Sequence, residues 1–156
     1  MGEERIFMKN NLPQRKNIRL KYYDYSTAGL YFVTICIKNR REILGKIKDN
    51  YIKLTKEGYI VRKNIINIEK IFEGIIIDEY VIMPNHIHML IELDGQNGVT
   101  LSRIINQYKG VVTKQIGYSI WQKLYYEHVI RNEKEYYIIK EYIKNNVISW
   151  EKDKYF

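Results

Sequence analysis

The order of apolar runs along the chain predicts an α+β sandwich, an antiparallel sheet with helices packed on one face. Two observations carry this. Short runs rich in β-branched and aromatic residues alternate with segments of helical periodicity in the order strand, strand, helix, strand, strand, helix, followed by a last helix. No repeat or linker divides the 156 residues, a length that buries roughly two thirds of the unfolded surface in one core. The expectation is therefore a single domain over residues 1–156, with residues 1–21 as a basic arm.

Leu30-Tyr-Phe-Val-Thr-Ile-Cys-Ile37 follows Ala28-Gly29 and reads as a buried first strand. A turn-rich stretch leads to a short partner, Tyr51-Ile-Lys-Leu54. Thr55 can cap a helix running to about Lys70, whose face of Tyr59, Ile60, Lys63, Asn64, Ile66 and Asn67 is only partly apolar. Gly74 stops the next turn, and Ile75 to Met83 is a third strand. Pro84-Asn85 makes a tight joint, because proline removes a ladder donor and marks a strand boundary. The strand after it holds His86 and His88. Asp94-Gly-Gln-Asn-Gly98 is a loop, and Thr100 or Ser102 can cap a helix from about Leu101 to Ile116 with Ile104, Ile105, Tyr108, Val111, Val112 and Gln115 at helical spacing. A last helix, about Lys134 to Val147, presents Ile139, Tyr142, Ile143 and Asn146 on one face.

Composition narrows the partners. Lysine and arginine number 26 against 18 acids, a formal charge of +8, which favours a polyanion such as nucleic acid. The abundance of Ile, Lys, Asn and Tyr also matches an AT-rich genome, so codon bias accounts for part of the excess. Arg5, Lys9, Arg15, Lys16, Arg19 and Lys21 crowd the N-terminal segment, an arm able to lie along phosphates or a solubilising tail. The single cysteine, Cys36, excludes an internal disulfide framework and sits in an apolar run as a packing residue. No signal peptide or membrane span is visible, so the expected location is cytoplasmic, away from membranes.

The richest feature is Val81-Ile-Met-Pro-Asn-His-Ile-His-Met-Leu-Ile-Glu92. A strand sends alternate side chains to one face, so His86 and His88 stand side by side, with the opposite face free to be buried while the histidines look into a cleft or solvent. Two imidazoles so placed are two thirds of a metal site, or two residues that a half-exposed strand tolerates.

Six blocks together resemble the REP-associated tyrosine transposases, within the HUH single-tyrosine transposases of simple bacterial insertion sequences. They are Arg19-Leu-Lys-Tyr-Tyr-Asp-Tyr-Ser26, Gly29-Leu-Tyr-Phe-Val-Thr-Ile-Cys36, Val81 to His88, Tyr108-Lys-Gly110, Trp121-Gln122 with Tyr125 to Glu133, and Glu141-Tyr-Ile-Lys-Asn-Asn146. The resemblance spans about Gln14 to Trp150. It implies a ferredoxin-like, HUH endonuclease-like sandwich that cleaves and rejoins single-stranded or hairpin DNA. A divalent cation, Mg2+ or Mn2+, polarises the scissile phosphate, and a tyrosine attacks phosphorus to give a 5′-phosphotyrosine and a free 3′-hydroxyl. Phenol is a poor nucleophile at its usual pKa near 10, which is why the chemistry needs activation.

Among fifteen tyrosines, Tyr142 matches the tyrosine of the family's Tyr-Ile-X-Asn-Asn motif, and Asn146, one helical turn on, is the implied third, oxygen ligand beside His86 and His88. Tyr137 with Glu141 is a rival by spacing, but lies about 140° around the helix from Tyr142. Tyr108 is a second rival, with Val112 at i+4, which cannot bind metal. Trp121 can stack on an unpaired base or anchor the core, and Gln122 can read a base edge. Arg131 can clamp a phosphate or pair with Glu133, and Lys109 can contact a phosphate from the helix after the metal strand. With Arg15, Lys16 and Arg19 these form the expected DNA contacts. His128, lacking a partner at metal-ligand spacing, is expected to be a DNA contact or a satisfied structural residue. The family's last motif continues Asn-Pro where this chain has Val147, so the helix is free to run past Asn146. REP-associated members can work as monomers, whereas simple insertion-sequence relatives act as dimers sharing active sites; the expectation is a monomer, with a dimer as the alternative. Two other readings stand: a hairpin-binding protein without chemistry, and a metal-dependent phosphoesterase.

Overall fold

The computed structural model describes residues 28–150. The N-terminal arm, with Arg15, Lys16 and Arg19, lies outside them. Four strands form the main sheet: β1 (Ala28–Cys36), β4 (Ile75–Met83), β5 (His86–Asp94) and β6 (Tyr126–Val129), in the order β4-β5-β1-β6 and antiparallel throughout. A separate hairpin joins β2 (Gly45–Lys48) to β3 (Tyr51–Leu54). Among the described residues three α-helices and a single 3-10 turn (Lys38–Arg40) complete the fold: α1 (Lys56–Ile71), α2 (Leu101–Ile116) and α3 (Glu133–Lys144).

The sandwich follows from strand alternation. Tyr31, Val33, Ile35 and Ile37 of the first strand region and Ile87, Met89, Ile91 and Leu93 of β5 point to one face. There they meet Val61, Ile65 and Ile68 of α1 and Ile104, Ile105, Tyr108 and Val112 of α2. Each such aliphatic side chain contributes roughly 1.5–3 kcal/mol on full burial. The same alternation leaves Leu30, Phe32 and Leu90 on the opposite face. Here α3 covers them with Ile143, Ile139 and Tyr136, so the sheet carries α1 and α2 on one side and the last helix on the other.

Caps lie where the sequence predicts them. Thr55 Oγ1 accepts from Gly58 N at 3.1 Å and donates to the Ile43 carbonyl at 2.6 Å, which seats the start of α1 on the loop before β2. Thr100 accepts from Arg103 N, and Asn132 accepts from Glu135 N at the start of α3. The bounds of the helices at Lys56–Ile71 and Leu101–Ile116 match the periodicity, but the α1 face read as Tyr59, Ile60, Lys63, Asn64, Ile66 and Asn67 does not: Tyr59 and Ile66 are exposed, and Val61, Ile65 and Ile68 with Asn64 turn to the sheet. Two short strands were not visible in the apolar pattern: β2, which lies in the stretch read as turns, and β6, whose Tyr126-Glu-His-Val alternation fits a half-exposed edge. Among the described residues no helix is long and apolar enough to cross a membrane.

Two glycines of the helices separate backbone contact from open space. A Cβ on Gly58 would meet the Leu44 carbonyl oxygen at 2.1 Å, whereas one on Gly110 meets nothing within 4 Å. Gly58→Ala is therefore expected to destabilise by about 1–3 kcal/mol through forced displacement of backbone, and Gly110→Ala to stabilise by up to about 1 kcal/mol through helix propensity. Urea denaturation midpoints read both; the reverse order would contradict the packing described.

Candidate active site

The two-residue turn at Pro84 and Asn85 puts His86 opposite Met83 and fixes the register of β5. Main-chain bonds clamp this turn from outside: Leu44 N donates to the Pro84 carbonyl at 3.0 Å and Ile37 N to the Asn85 carbonyl at 2.9 Å. On the β1 side, His88 faces Thr34 and His86 faces Cys36. The imidazoles therefore share the face of Phe32 and Leu90, under α3.

Both histidines are fully buried, so of the two surroundings that alternation alone allowed, a cleft or solvent, solvent is excluded. The cover is aromatic. Phe32 stacks on His88 at 5.1 Å between centroids, Tyr142 meets the same ring edge-on at 5.3 Å, and Trp150 stacks near His86 at 6.4 Å. The reason is the amphipathic α3, whose Tyr136, Ile139 and Ile143 need an apolar partner and find it on this face of the sheet.

Hydrogen bonds determine how the rings present their nitrogens. His86 Nδ1 lies 2.7 Å from Asn85 Oδ1, an acceptor, so this nitrogen carries the proton and Nε2 offers its lone pair. His88 Nδ1 lies 2.8 Å from Thr34 Oγ1, and its Nε2 stands 3.2 Å from that of His86. Two imidazole nitrogens at this distance share one proton or converge on one cation. Outer hydrogen bonds to Nδ1 that leave Nε2 exposed to a common point are the arrangement metal-binding histidines use.

The third donor that the resemblance implies, Asn146, lies in the chain after α3. The helix ends at Lys144 and Asn145 is its cap, so it does not run past Asn146 despite the absence of proline at 147. Asparagine is a weak helix former that competes for backbone groups, and two in succession are enough to end α3. Asn146 N bonds to the Ile143 carbonyl at 3.2 Å, a tightened final turn. Asn146 is 1% exposed, and its Oδ1 is buried with no hydrogen-bond partner among the described residues. It lies in sequence between Tyr142, against His88, and Trp150, against His86. Among the described residues no group of three or more His, Cys, Asp or Glu could hold a metal. What this chain offers is two imidazoles and an amide oxygen in want of a partner, a donor set that fits a cation retaining water ligands.

Comparison with known proteins bears on the same residues. The family model described as "Transposase IS200 like" matches residues 26–146. A REP-associated tyrosine transposase of Escherichia coli is 31% identical over 127 residues, covering 80% of this chain and 69% of that one. The chain belongs to the REP-associated tyrosine transposases, within the IS200-like transposase family. A protein of Haemophilus influenzae described as uncharacterized is 38% identical over 164 residues, covering 89% of this chain and 91% of its own. A solved REP-associated tyrosine transposase bound to a REP hairpin superposes with a TM-score of 0.66 at 28% identity, over 85% of this chain and 74% of that one. A Deinococcus radiodurans structure at 16% identity and a TM-score of 0.53 shares the fold.

The remaining candidate residues of this transposase divide by location. Tyr108 belongs to the core on the α1 and α2 side. Its hydroxyl donates to the Val61 carbonyl at 3.1 Å, and burial pushes its pKa well above 10. Tyr137 is half-exposed on α3 against Tyr136. Trp121 is 3% exposed, packed 5.9 Å from Tyr108 and bridged to Ile37, so the core-anchor reading describes it and its face is not open for a base to stack on. Lys109 Nζ donates to the carbonyls of Gln122 and Lys123 at 2.9 and 3.0 Å and braces that segment against α2. Arg131 is exposed beside the start of α3, where its backbone N–H donates to Glu135. His128 pairs with Glu135 and so ties β6 to α3, the satisfied structural role.

The tautomer assignment is directly checkable. Nitrogen-15 long-range NMR of the metal-free protein is expected to find the His86 proton on Nδ1, with Nε2 unprotonated. A protonated Nε2 with a bare Nδ1 would mean that Asn85 presents its amide NH2 and that the two lone pairs do not converge.

Proposed function

We propose that this transposase cleaves and rejoins single-stranded or hairpin DNA through a 5′-phosphotyrosine on Tyr142, with divalent-metal dependence set by His86, His88 and Asn146. The observation that carries the reading is the contact of the Tyr142 ring with His88, whose Nε2 faces that of His86. The cation, Mg2+ or Mn2+, would draw charge from the scissile phosphate and so make phosphorus a better electrophile. Everything else falls to the protein. Tyr142, 38% exposed, keeps a route to solvent and substrate while Phe32 and His88 hold its ring. Its Oη forms a bond to phosphorus as the bond to the 3′-oxygen breaks; the phenol loses its proton and the departing 3′-oxygen gains one. The ester retains the phosphodiester's energy, so a later 3′-hydroxyl reverses the attack without a nucleotide cofactor.

Hairpin DNA as the substrate is supported by the REP hairpin bound to the solved relative and by the net charge of +8. Tyr142 and both histidines meet within one chain, which supports a monomer as the working unit. A cytoplasmic location accords with a DNA substrate.

Tyr142→Phe is expected to leave the fold and hairpin affinity nearly intact and to abolish the covalent protein–DNA adduct formed with Mn2+, read on denaturing gels. Tyr137→Phe and Tyr108→Phe retain it. An adduct in Tyr142→Phe, or phosphotyrosine mapped to either rival, overturns the assignment. Calorimetric Mn2+ binding is expected to fall at least tenfold in both His86→Ala and His88→Ala; unchanged affinity in both would remove the metal from this site. Hairpin-bearing single strands should bind more tightly than a plain duplex of equal length at matched salt, since aromatic residues among basic ones favour unpaired bases. Equal affinities would contradict that preference.

A further inference from the structure

The outer edge of the sheet at β4 is covered at two points and open between them. Strand β4 ends the sheet order, so its outward N–H and C=O groups have no partner strand among the described residues. At one end α1 leans on it, where Glu69 Oε2 accepts from Ile77 N at 2.6 Å. At the other, Leu44 N reaches the Pro84 carbonyl and brings the start of the β2–β3 hairpin against the joint. Between them lies a cleft of about 500 Å³, a size that suits a small ligand. Aliphatic side chains of β3 and β4 make half of its lining. Lys53, Tyr59, Arg62 and Tyr80 make the rest, with no acid among them.

Two features of this edge call for the same kind of ligand. On the exposed face of the β-hairpin, Lys46 stands directly opposite Lys53, and no carboxylate among the described residues pairs with either. Like charges so placed destabilise a two-stranded ribbon, and an anion bound between them removes that cost. The one acid of the β-hairpin, Asp49, is in its turn, beyond two further residue pairs. In the cleft, the Arg62 guanidinium lies over one face of the Tyr59 ring, 5.0 Å from its centroid, yet Tyr59 stays 54% exposed. A ring held on one side and open on the other is a stacking platform. A nucleotide supplies both missing partners, a phosphate for the cations and a flat face for the ring. The cleft also adjoins the candidate active site: Val81, in its wall, is the partner of His88 across β4 and β5, with Cα atoms about 5 Å apart.

We propose that this cleft is a second, non-catalytic DNA site that takes one unpaired nucleotide, with its base on Tyr59 and its flanking phosphates on Arg62 and the Lys46–Lys53 pair. The inference rests on the DNA-cleaving reading for its ligand, and it gives a part to the β2–β3 hairpin, which that reading leaves unused.

The test is an abasic scan of a hairpin-bearing single strand with unpaired flanks, removing one base at a time and reading affinity for the full chain by fluorescence anisotropy. Loss of the base at one unpaired position away from the cleaved bond is expected to weaken wild-type binding about tenfold, and binding by Tyr59→Ala less than twofold. Arg62→Gln and Lys53→Gln should each lower the slope of log affinity against log salt by about one. All three side chains are exposed, so the fold tolerates their replacement. Without DNA, Lys53→Gln should raise Tm by about 1–3 °C, because it removes the repulsion from Lys46. Stability gained while binding is lost marks a binding pair; an unchanged or lowered Tm overturns the part given to these lysines. A Tyr142 adduct that forms normally while no base couples to Tyr59 overturns the inference and leaves the catalytic reading standing. A coupled base with no adduct supports the inference and sinks the catalytic reading. A wild-type dimer in sedimentation that is lost in Tyr59→Ala, with no coupled base in DNA, would assign the cleft to a second copy of the chain and overturn its role on DNA.

Discussion

The antiparallel register between β1 and β5 governs the rest of the molecule. It places Thr34 opposite His88 and Cys36 opposite His86, and so decides both which face carries the imidazoles and which residue holds each one. The short turn before β5 transmits this register from β4, and the two carbonyls of that turn are tied to Leu44 and Ile37. The bonds of the His86 ring to Asn85 and His88, with the two main-chain clamps on the turn, leave His86 little freedom to rotate. A site that must hold nitrogens near 3 Å apart needs that rigidity, because small displacements cost catalytic geometry heavily.

Burial on both faces sets the electrostatic character of the site. The α1 and α2 side is a dry apolar layer, and the opposite side places Phe32, Leu90 and Ile143 around the histidines. Polar groups in such surroundings cost free energy unless they are bonded. Asn85 and Thr34 meet that need at Nδ1 of each ring, and the Asn146 amide oxygen does not have its need met. An unmet acceptor just beyond α3, the helix that covers the two imidazoles, is a local feature that distinguishes this side of the sheet from an ordinary core. Lys140, which contacts Asp78 at 3.6 Å and Tyr136 at 3.1 Å, adds a polar tie between α3 and β4 on the same side.

How much of this was legible in the sequence varies with the physics of each element. Strand alternation and helical spacing are strong signals in β1, β4, β5 and α2, where apolar contacts recur with a fixed period; in α1, isoleucines on several sides of the helix let the spacing give its bounds but not its buried face. β6 is four residues long and half-exposed, so little apolar pattern is required of it. The pairing of His86 with His88 was readable, but their burial was not, because it depends on α3 crossing the sheet, a contact between distant segments. Likewise the end of α3 at Lys144 follows from backbone bonding around two asparagines, which outweighed the missing proline. The burial of Trp121 and the bracing role of Lys109 also came from tertiary contacts that spacing does not encode.

The connection of two residues between β4 and β5 has a consequence for how such proteins can vary. Side chains alternate strictly along a strand, so adding or removing one residue there, with the rest of β5 following in step, would turn both imidazoles into the α1 and α2 core and bring Ile87 and Met89 to the opposite face. Length at this joint is therefore as constrained as the identity of the histidines themselves. The loop after Asp94, where Gly95 and Gly98 take positive φ and a Cβ on Gly98 meets nothing within 4 Å, is free of that coupling. Insertions that alter the periphery of such a domain without disturbing its centre belong there.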